Sequence, residues 1–185
     1  MTNTRKLAYI AILSAVSFLL LYFSFPLIPA ADFLKVDFSI LPVLIALVIF
    51  DFKSAIGVLL LRSLLKLLLN NGGPGSMIGL PMNFVAIGVF VWGLSYFWKK
   101  NQTSKNYIFG SVVGTVLLTV AMVILNYIYA VPLYAKFANF DIAQFIGLYK
   151  YLFAMVVHFN LLQGLIFAVA FALIYAPLKS ILVKL

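Results

Sequence analysis

Cysteine is absent from the 185-residue sequence, and charged side chains make up only 9% of it. Without cysteine the chain can form no disulfide, no thiolate metal site and no redox pair. Its four acidic residues and single histidine leave little material for acid–base or metal chemistry. The phosphate-binding motif GxxxxGK[ST] does not occur, so any uphill transport would draw its energy from a partner or an ion gradient.

Apolar residues dominate the sequence instead. Hydrophobic side chains make up 65% of the residues, whereas a soluble domain is about half apolar. A water-facing globule of this size cannot bury so much apolar surface, and we therefore predict an all-α integral membrane protein. The net charge of +9 is explained by basic residues at helix ends, where they set membrane orientation, and no nucleic-acid partner is expected.

Six apolar stretches are candidates for membrane-spanning helices, which need about 20 residues to cross about 30 Å of hydrocarbon. The predicted spans of this single domain, residues 1–185, are 7–25, 38–50, 54–69, 78–98, 108–133 and 151–175. The short second and third spans, divided by Asp51, form either two adjacent helices of a six-helix bundle or a shallow helical hairpin. The first span resembles a signal peptide, but it is long enough to cross and no clear cleavage site follows it.

Basic residues are distributed unevenly between the two sets of loops. The side of the termini holds Arg5, Lys6, Lys53, Lys99, Lys100, Lys105, Lys179 and Lys184, and the other side holds Lys35, Lys136 and Lys150. Cytoplasmic loops carry the excess of lysine and arginine. We therefore predict a multi-pass membrane protein with both termini in the cytoplasm; the bacterial plasma membrane as its location is implied only by the family resemblance described below.

Uncharged amide side chains within the predicted spans are concentrated toward the outer side. Asn83 and Asn126 lie near the outer ends of their spans, and Asn160 lies about three turns in, with Gln163 at i+3. Such amides suit a neutral ligand with several hydrogen-bond donors and acceptors. The structural alternative is amide hydrogen bonding between helices, each bond contributing only about 0.6–2 kcal/mol.

Small residues form a stripe on the first predicted helix. Ala8, Ala11 and Ala15 are spaced at i, i+3 and i+7, so they share one helix face. Small side chains allow another helix to approach closely. The stripe indicates either packing within the chain or a docking face for a second membrane protein.

Two basic residues, Arg62 and Lys66, share a face of the third predicted helix. Lys66 is close enough to the outer end to snorkel, whereas Arg62 lies deeper, where charged residues usually face the protein interior, water or a partner. No acid lies within a predicted span to pair with them. His158 points away from Asn160, and with no cysteine and no nearby acid a metal site is not expected there. An enzyme acting on lipid phosphate through Arg62, Lys66 and His158 is not expected either, because these residues neither share a face nor have an acid partner.

Four segments resemble the riboflavin-specific S components of energy-coupling-factor (ECF) transporters. They are Phe33-Leu34-Lys35-Val36-Asp37-Phe38-Ser39-Ile40-Leu41-Pro42, residues 70–83, residues 125–127 with 132–134, and Phe159-Asn160-Leu161-Leu162-Gln163-Gly164. Ala11 and Ala15 match the AxxxA element that S components present to their transmembrane partner. Many relatives carry an acid in place of Ile40 and a lysine in place of Gln163, and the missing charge at Gln163 fits neutral riboflavin better than its phosphorylated form, FMN.

The resemblance implies a six-helix bundle with an outward-facing pocket, capped by the loop after the first helix. Riboflavin would be the transported ligand, no cofactor would be needed, and a separate module of one transmembrane coupling subunit and two ATPase subunits would power uptake, all within membrane lipids. We expect Leu34, Phe84 and Tyr129 to hold the flat ring, and Lys35, Asn83, Asn126, Asn160 and Gln163 to form hydrogen bonds. Pro26, Pro29 and Pro42 are expected to stiffen the loop or its flanks.

The sequence alone is also compatible with other functions. The chain could be an S component or a stand-alone carrier for FMN or another vitamin. It could also be a purely structural membrane subunit, although the outer cluster of amides would then have no role.

Overall fold

The computed structural model describes residues 2–28 and 33–182, which are mostly helical. The helices are α1 (Asn3–Leu20), α2 (Ile40–Ile49), α3 (Phe52–Leu69), α4 (Pro74–Trp98), α5 (Ser104–Leu125), α6 (Val131–Phe137), α7 (Ile142–Phe145) and α8 (Val157–Leu182). The short strands β1 (Phe25–Pro26) and β2 (Lys35–Val36) form an antiparallel pair. The all-α prediction is confirmed apart from this pair, and Pro29 and Lys184 lie outside the described residues.

Two segments of π-helix lengthen the last two long helices. The π-helix Asn126–Ala130 joins α5 to α6, so that one continuous helix runs over Ser104–Phe137. The π-helix Lys150–Val156 leads directly into α8. Because a π-helix has more residues per turn than an α-helix, each segment changes the face that the following residues present.

Three helices are long and apolar enough to cross a membrane by length and composition. They are Pro74–Trp98, Ser104–Phe137 and Lys150–Ile181. Helices α1 and α3 have 18 residues each, and charged residues interrupt their apolar character. Helix α2 has only 10 residues, and eight of them are buried.

Helix ends differ from the predicted spans where proline intervenes. The first span was predicted to reach residue 25, but α1 ends at Leu20. Pro26 forces the residue before it into an extended conformation, and Phe25 and Pro26 pair instead with Val36 and Lys35. The fourth helix begins earlier than predicted, at Pro74, because Gly73 with φ of 78° provides the turn before a proline at the first helical position.

Helix α2 lies at the centre of the bundle. It contacts α1, α3, α4 and α8, while α5 packs between α4 and α8. Its core residues Val43, Leu44 and Leu47 are fully buried. Glycines allow α4 and α5 to approach closely, since a Cβ atom added to Gly93 of α4 would lie 2.8 Å from the Cα atom of Gly114 in α5.

Basic side chains connect several helix ends through an ion pair and hydrogen bonds at one end of the bundle. The Lys6 ammonium in α1 lies 2.8 Å from the Asp51 carboxylate in the turn between α2 and α3. Lys99 Nζ donates to the carbonyl oxygens of Leu47 and Val48, at 2.7 and 2.8 Å, and so caps the C-terminus of α2. We call this end the basic end; the beginning of α1 and the end of α4 meet there.

The electrostatics of the basic end follow from these contacts. The hydrogen bond from Lys6 lowers the pKa of Asp51 from 3.8 to about 2, and Ser54 adds hydrogen bonds to the same carboxylate. Burial lowers the pKa of Lys99, and the charge of Asp51 partly opposes this effect.

Candidate functional site

A cavity of about 140 Å³ lies at the other end of the bundle. It is lined by Phe33, Leu34, Lys35, Gly79, Met82, Asn83, Ala86, Met122, Asn126, Tyr134, Tyr151, Phe159 and Gln163. Along α4, Gly79 is 20 residues from Lys99, which corresponds to about 30 Å of helix. The cavity and the basic end are therefore separated by roughly the thickness of a bilayer's hydrocarbon layer.

Five of the eight predicted ligand-binding residues line this cavity: Leu34, Lys35, Asn83, Asn126 and Gln163. They come from the β2 region and from three different long helices, so only the tertiary fold brings them together. Asn160 is buried one turn before Gln163 on α8, with 1% of its surface exposed, but it does not line the cavity itself.

Phe84 and Tyr129 do not line this cavity. Phe84 faces an apolar groove between α3 and α4 because it follows Asn83 by one residue, which turns its side chain about 100° around the helix. Tyr129 lies in the first π-helix and packs against Ile78, Met82 and Ala130. Their predicted contact with the flat ring therefore has no support from the cavity geometry.

Aromatic residues that were not among the predicted ligand contacts supply part of the cavity wall. The rings of Phe33 and Tyr151 lie 6.1 Å apart, and Phe33 also contacts Phe140 at 6.2 Å. Phe159 lies on the same side of α8 as Gln163, four residues earlier in the chain, and also lines the cavity. Aromatic residues at span ends are common at membrane interfaces, so the sequence has no signal that distinguishes those facing a ligand.

A buried hydrogen bond connects the two π-helical segments beside the cavity. The Tyr151 hydroxyl donates to Asn126 Oδ1 at 2.6 Å, and Asn126 Nδ2 donates to the carbonyl oxygen of Met122 at 2.7 Å. Asn126 begins one π-helix and Tyr151 lies in the other. Insertions of this kind are frequent at functional sites, and here they direct both side chains toward one place.

Asn160 has an unused hydrogen-bond acceptor. Its Nδ2 donates to the carbonyl oxygen of Val156 at 2.7 Å. Its Oδ1 is buried and has no hydrogen-bond partner among the described residues. Buried polar atoms are nearly always paired in native proteins, so this oxygen is a candidate to accept from a ligand.

The close contact of α5 with α8 fixes the position of these amides. Gly164 lies directly after Gln163, and a Cβ atom at position 164 would overlap the Thr115 side chain. Thr115 and Thr119, in turn, donate to carbonyl oxygens four residues earlier in α5, so they require no partner from α8. The glycine therefore allows α8 to bring Gln163 close to the cavity.

Arg62 lies deep in the bundle, as its depth in the third span predicted. Its side chain is fully buried. Nη1 donates to the Ser39 hydroxyl, and Nη2 donates to Asn83 Oδ1 at 2.5 Å. The Ser17 hydroxyl of α1 donates to the carbonyl oxygen of Ser39. A polar network thus reaches from α1 to an amide of the cavity wall.

The basic residues considered for lipid chemistry are not assembled into one site. Lys66 Nζ donates to Asn70 Oδ1 at 2.7 Å. His158 is exposed on α8 and its Nδ1 contacts the carbonyl oxygen of Phe153. Within residues 2–28 and 33–182, no group of three or more histidine, aspartate or glutamate side chains could hold a metal ion.

The alanine stripe of α1 is exposed. Ala8, Ala11 and Ala15 all lie on the surface of the chain. Large apolar neighbours, including Leu7 at 65% and Ile12 at 60% exposure, flank them. The buried residues of α1 are Ser14 and Ser17, so the helix packs against the bundle with a different face.

Comparisons with known proteins agree over nearly the whole chain. The sequence profile of the family "ECF transporter, substrate-specific component" matches residues 5–175. Over its full length the chain is 96% identical to "Riboflavin transporter RibU" of Streptococcus thermophilus, and the match covers 88% of that protein. It is 40% identical to the protein of the same name from Lactococcus lactis, covering 97% of this chain and 96% of that one.

A more distant relative and a solved structure complete the comparison. "Riboflavin transporter FmnP" of Bacillus subtilis is 30% identical, over 96% of this chain and 93% of its own length. The solved structure described as "Structure and mechanism of the S component of a bacterial ECF transporter" is 28% identical. It superposes with a TM-score of 0.81 over 98% of this chain and 99% of that chain.

Proposed function

The chain belongs to the substrate-specific components of energy-coupling-factor transporters, and from this membership we propose that it binds riboflavin for uptake into the cell. It is a transport component and not an enzyme. Relatives at 96%, 40% and 30% identity are named riboflavin transporters. The ligand is carried as a substrate, and no cofactor takes part.

One observation carries the proposal: uncharged amides and aromatic rings line the same cavity. Asn83, Asn126 and Gln163 supply hydrogen-bonding groups, and Phe33, Tyr151 and Phe159 supply flat apolar surface. Riboflavin combines a flat ring system with carbonyl, imide and hydroxyl groups at its edges. A mostly apolar site with a few placed polar groups is the usual design for such a ligand.

Asn160 and Lys35 complete the set of proposed polar contacts. The buried Oδ1 of Asn160 would accept a hydrogen bond from a donor at the ring edge. Lys35 is exposed at the cavity mouth and would contact the ribityl hydroxyls. Gln163 offers both donor and acceptor without a charge, which favours riboflavin over FMN. Leu34 would pack against the ring.

Riboflavin binding would require the cavity to widen. Sites for ligands of this size measure about 300–1,000 Å³, compared with about 140 Å³ here. The wall formed by Phe33, Leu34 and Lys35 lies between α1 and α2, and the side chains of Phe33 and Lys35 are exposed, although the Phe33 ring contacts Tyr151 and Phe140. We propose that these three residues move outward to admit the ligand and close over it.

The membrane topology that fits these features has six crossings, formed by α1, α2, α3, α4, the helix through α5 and α6, and α8. Helix α3 extends from the Asp51 turn at the basic end to Asn70, whose Nδ2 donates to the Tyr22 hydroxyl near the end of α1. This length argues against a shallow hairpin. The positive-inside rule would place the basic end and both termini on the cytoplasmic side of a bacterial plasma membrane. The cavity would then face the outside of the cell.

The exposed alanine stripe of α1 is the proposed docking face for the transmembrane coupling subunit. Ala8, Ala11 and Ala15 would let a partner helix approach closely within the lipid. The chain carries no ATP-binding motif of its own. Two ATPase subunits bound to the coupling subunit would therefore supply the energy for release of the vitamin inside the cell.

A binding titration tests the proposed ligand. Detergent-purified protein should quench riboflavin fluorescence in a saturable manner, and protein that retains its ligand should be yellow. FMN should quench less at equal concentration. Failure of purified, monodisperse protein to quench riboflavin would contradict the proposal, and tighter binding of FMN would favour the alternative carrier function.

A further inference from the structure

Asn83 is held by a charged side chain from another helix. Arg62 of α3 is fully buried, and its Nη2 donates to Asn83 Oδ1 at 2.5 Å. The second arm of the same guanidinium, Nη1, is held by the Ser39 hydroxyl. Asn83 also lines the cavity. The arginine thus reaches the ligand site only through this amide.

The chemistry of the guanidinium determines which end of the amide faces it. Arginine has five N–H donors and no acceptor. The amide oxygen of Asn83 must therefore face Arg62, and the NH₂ group is directed away from it. No hydrogen bond from Asn83 Nδ2 to another described residue is present, so this donor is free for a ligand.

We propose that Arg62 is a positioning residue that fixes Asn83 as a hydrogen-bond donor, so that the site requires an acceptor atom on the ligand at this point. The inference rests on the proposed function and refines it. A free asparagine can turn its amide to suit a donor or an acceptor. Arg62 removes that choice, because turning the amide would place two sets of donors against each other.

The position of Arg62 is difficult to explain by packing alone. A charged side chain is costly to bury in a membrane protein, and its Nε has no hydrogen-bond partner among the described residues. An apolar side chain of similar volume would fill the space without this cost. The planar guanidinium of Arg62 donates to Ser39 and Asn83 together, and a role in holding these two side chains in one arrangement explains why an arginine occupies this position.

The first test is the isosteric variant Asn83→Asp, measured by riboflavin quenching in the full-length protein. One carboxylate oxygen can still accept from Arg62, so we expect the variant to fold with unchanged or higher thermal stability. The other oxygen replaces the donor with an acceptor, and we expect Kd for riboflavin to rise about tenfold or more. A folded variant that binds within twofold of the unsubstituted protein would overturn the inference.

The second test is a double-mutant cycle that separates positioning from general stabilisation. Arg62→Met should weaken riboflavin binding about fivefold when Asn83 is present and have no further effect in an Asn83→Leu background. The matched control is the Gln163→Leu background, where Arg62→Met should still cost about fivefold. An equal loss in both backgrounds would mean a structural role for Arg62 and would overturn the inference.

These outcomes are distinct from failure of the proposed function. If the unsubstituted protein does not bind riboflavin, the ligand assignment fails before any variant is compared. If Arg62→Met does not fold, Asn83→Asp still tests whether the site needs a donor at this position, and binding by that variant within twofold of the unsubstituted protein overturns the inference.

Discussion

At the scale of single residues, Asn160 is notable because burial and an unused acceptor occur on the same side chain. Its Nδ2 is occupied by the carbonyl oxygen of Val156, while its Oδ1 has no partner among the described residues. An unpaired buried oxygen costs free energy in the unliganded protein. A ligand that donates to it recovers that cost on binding, which favours affinity without adding buried area.

The substitution Asn160→Ala should therefore weaken riboflavin binding by about 1–3 kcal/mol, because the matching donor of the ligand is left unsatisfied. Fluorescence quenching measures the change in Kd. Asn3→Ala, an exposed substitution at the start of α1, serves as the control and should leave Kd unchanged. An unaltered Kd in folded Asn160→Ala would remove this residue from the site.

The amides of the site could be predicted from the sequence because polar residues within apolar spans are conspicuous. Asn83, Asn126 and Gln163 were identified in this way, and all three line the cavity. The aromatic wall could not be predicted, because a phenylalanine or tyrosine in a membrane protein fits lipid, core or ligand equally well. Tyr151 and Tyr129 also lie in π-helical segments, where 3.6-residue periodicity gives the wrong face.

At the scale of helices, α4 and α5 cross with their backbones in close contact. Gly93 and Gly114 approach so closely that an added Cβ atom on Gly93 would lie 2.8 Å from the Gly114 Cα atom. Backbone atoms cannot move aside as flexible side chains can. The glycines therefore determine the distance between the two helices that carry Asn83 and Asn126.

Replacing Gly93 by alanine should lower stability by about 1–3 kcal/mol, as overpacking does in other cores. Gly57→Ala is the matched control, because no atom lies within 4 Å of the Cβ position there. That variant should be neutral or slightly stabilising, since alanine favours helix by about 1 kcal/mol over glycine. Thermal unfolding in detergent measures both, and equal midpoints would show that the crossing can relax.

The turn between α2 and α3 predicts a dependence of stability on pH. Since the folded state lowers the pKa of Asp51 from 3.8 to about 2, its contribution is complete above about pH 5 and is lost as the pH falls toward 2. The contribution should stay below about 1 kcal/mol, because the Lys6 and Asp51 side chains are 36% and 49% exposed.

Thermal unfolding of Asp51→Asn should accordingly depend less on pH between 5 and 2 than unfolding of the unsubstituted protein. Lys6→Gln should have a similar effect, because it removes the partner that lowers the pKa of Asp51. Identical pH profiles for all three proteins would show that this ion pair does not contribute to folding.

Helix existence was easier to predict than helix ends. The apolar composition of each span determined that it would be helical, whereas the ends depend on backbone signals that span only two or three residues. Pro26 holds Phe25 in an extended conformation and so prevents α1 from continuing to residue 25, and the Gly73-Pro74 step begins α4 early. Both signals are present in the sequence, but a hydropathy window that averages over about 20 residues conceals them.

At the scale of the whole molecule, the proposed binding cavity and the proposed docking face are separate surfaces. The cavity lies between β2 and the long helices, whereas Ala8, Ala11 and Ala15 lie on the outside of α1. A change on the alanine stripe should therefore affect transport without affecting affinity.

The variant Ala11→Leu should bind riboflavin within twofold of the unsubstituted protein and lose most uptake when reconstituted with its coupling subunit and ATPases. The bulkier side chain would hold the partner helix away. Ala176→Leu, at an exposed alanine of α8, is the control and should retain uptake. Normal uptake by Ala11→Leu would place the docking face elsewhere.

Helix α2 was the hardest span to predict by length, and its position in the bundle explains why. Ten residues extend only about 15 Å, but its neighbours surround it and Lys99 occupies the carbonyl groups at its end. Because eight of its ten residues are buried among other helices, the thickness of the lipid layer does not determine how long this helix must be. A change in the length of α2 would therefore be met by its protein neighbours rather than by lipid, while the outer helices keep their lengths.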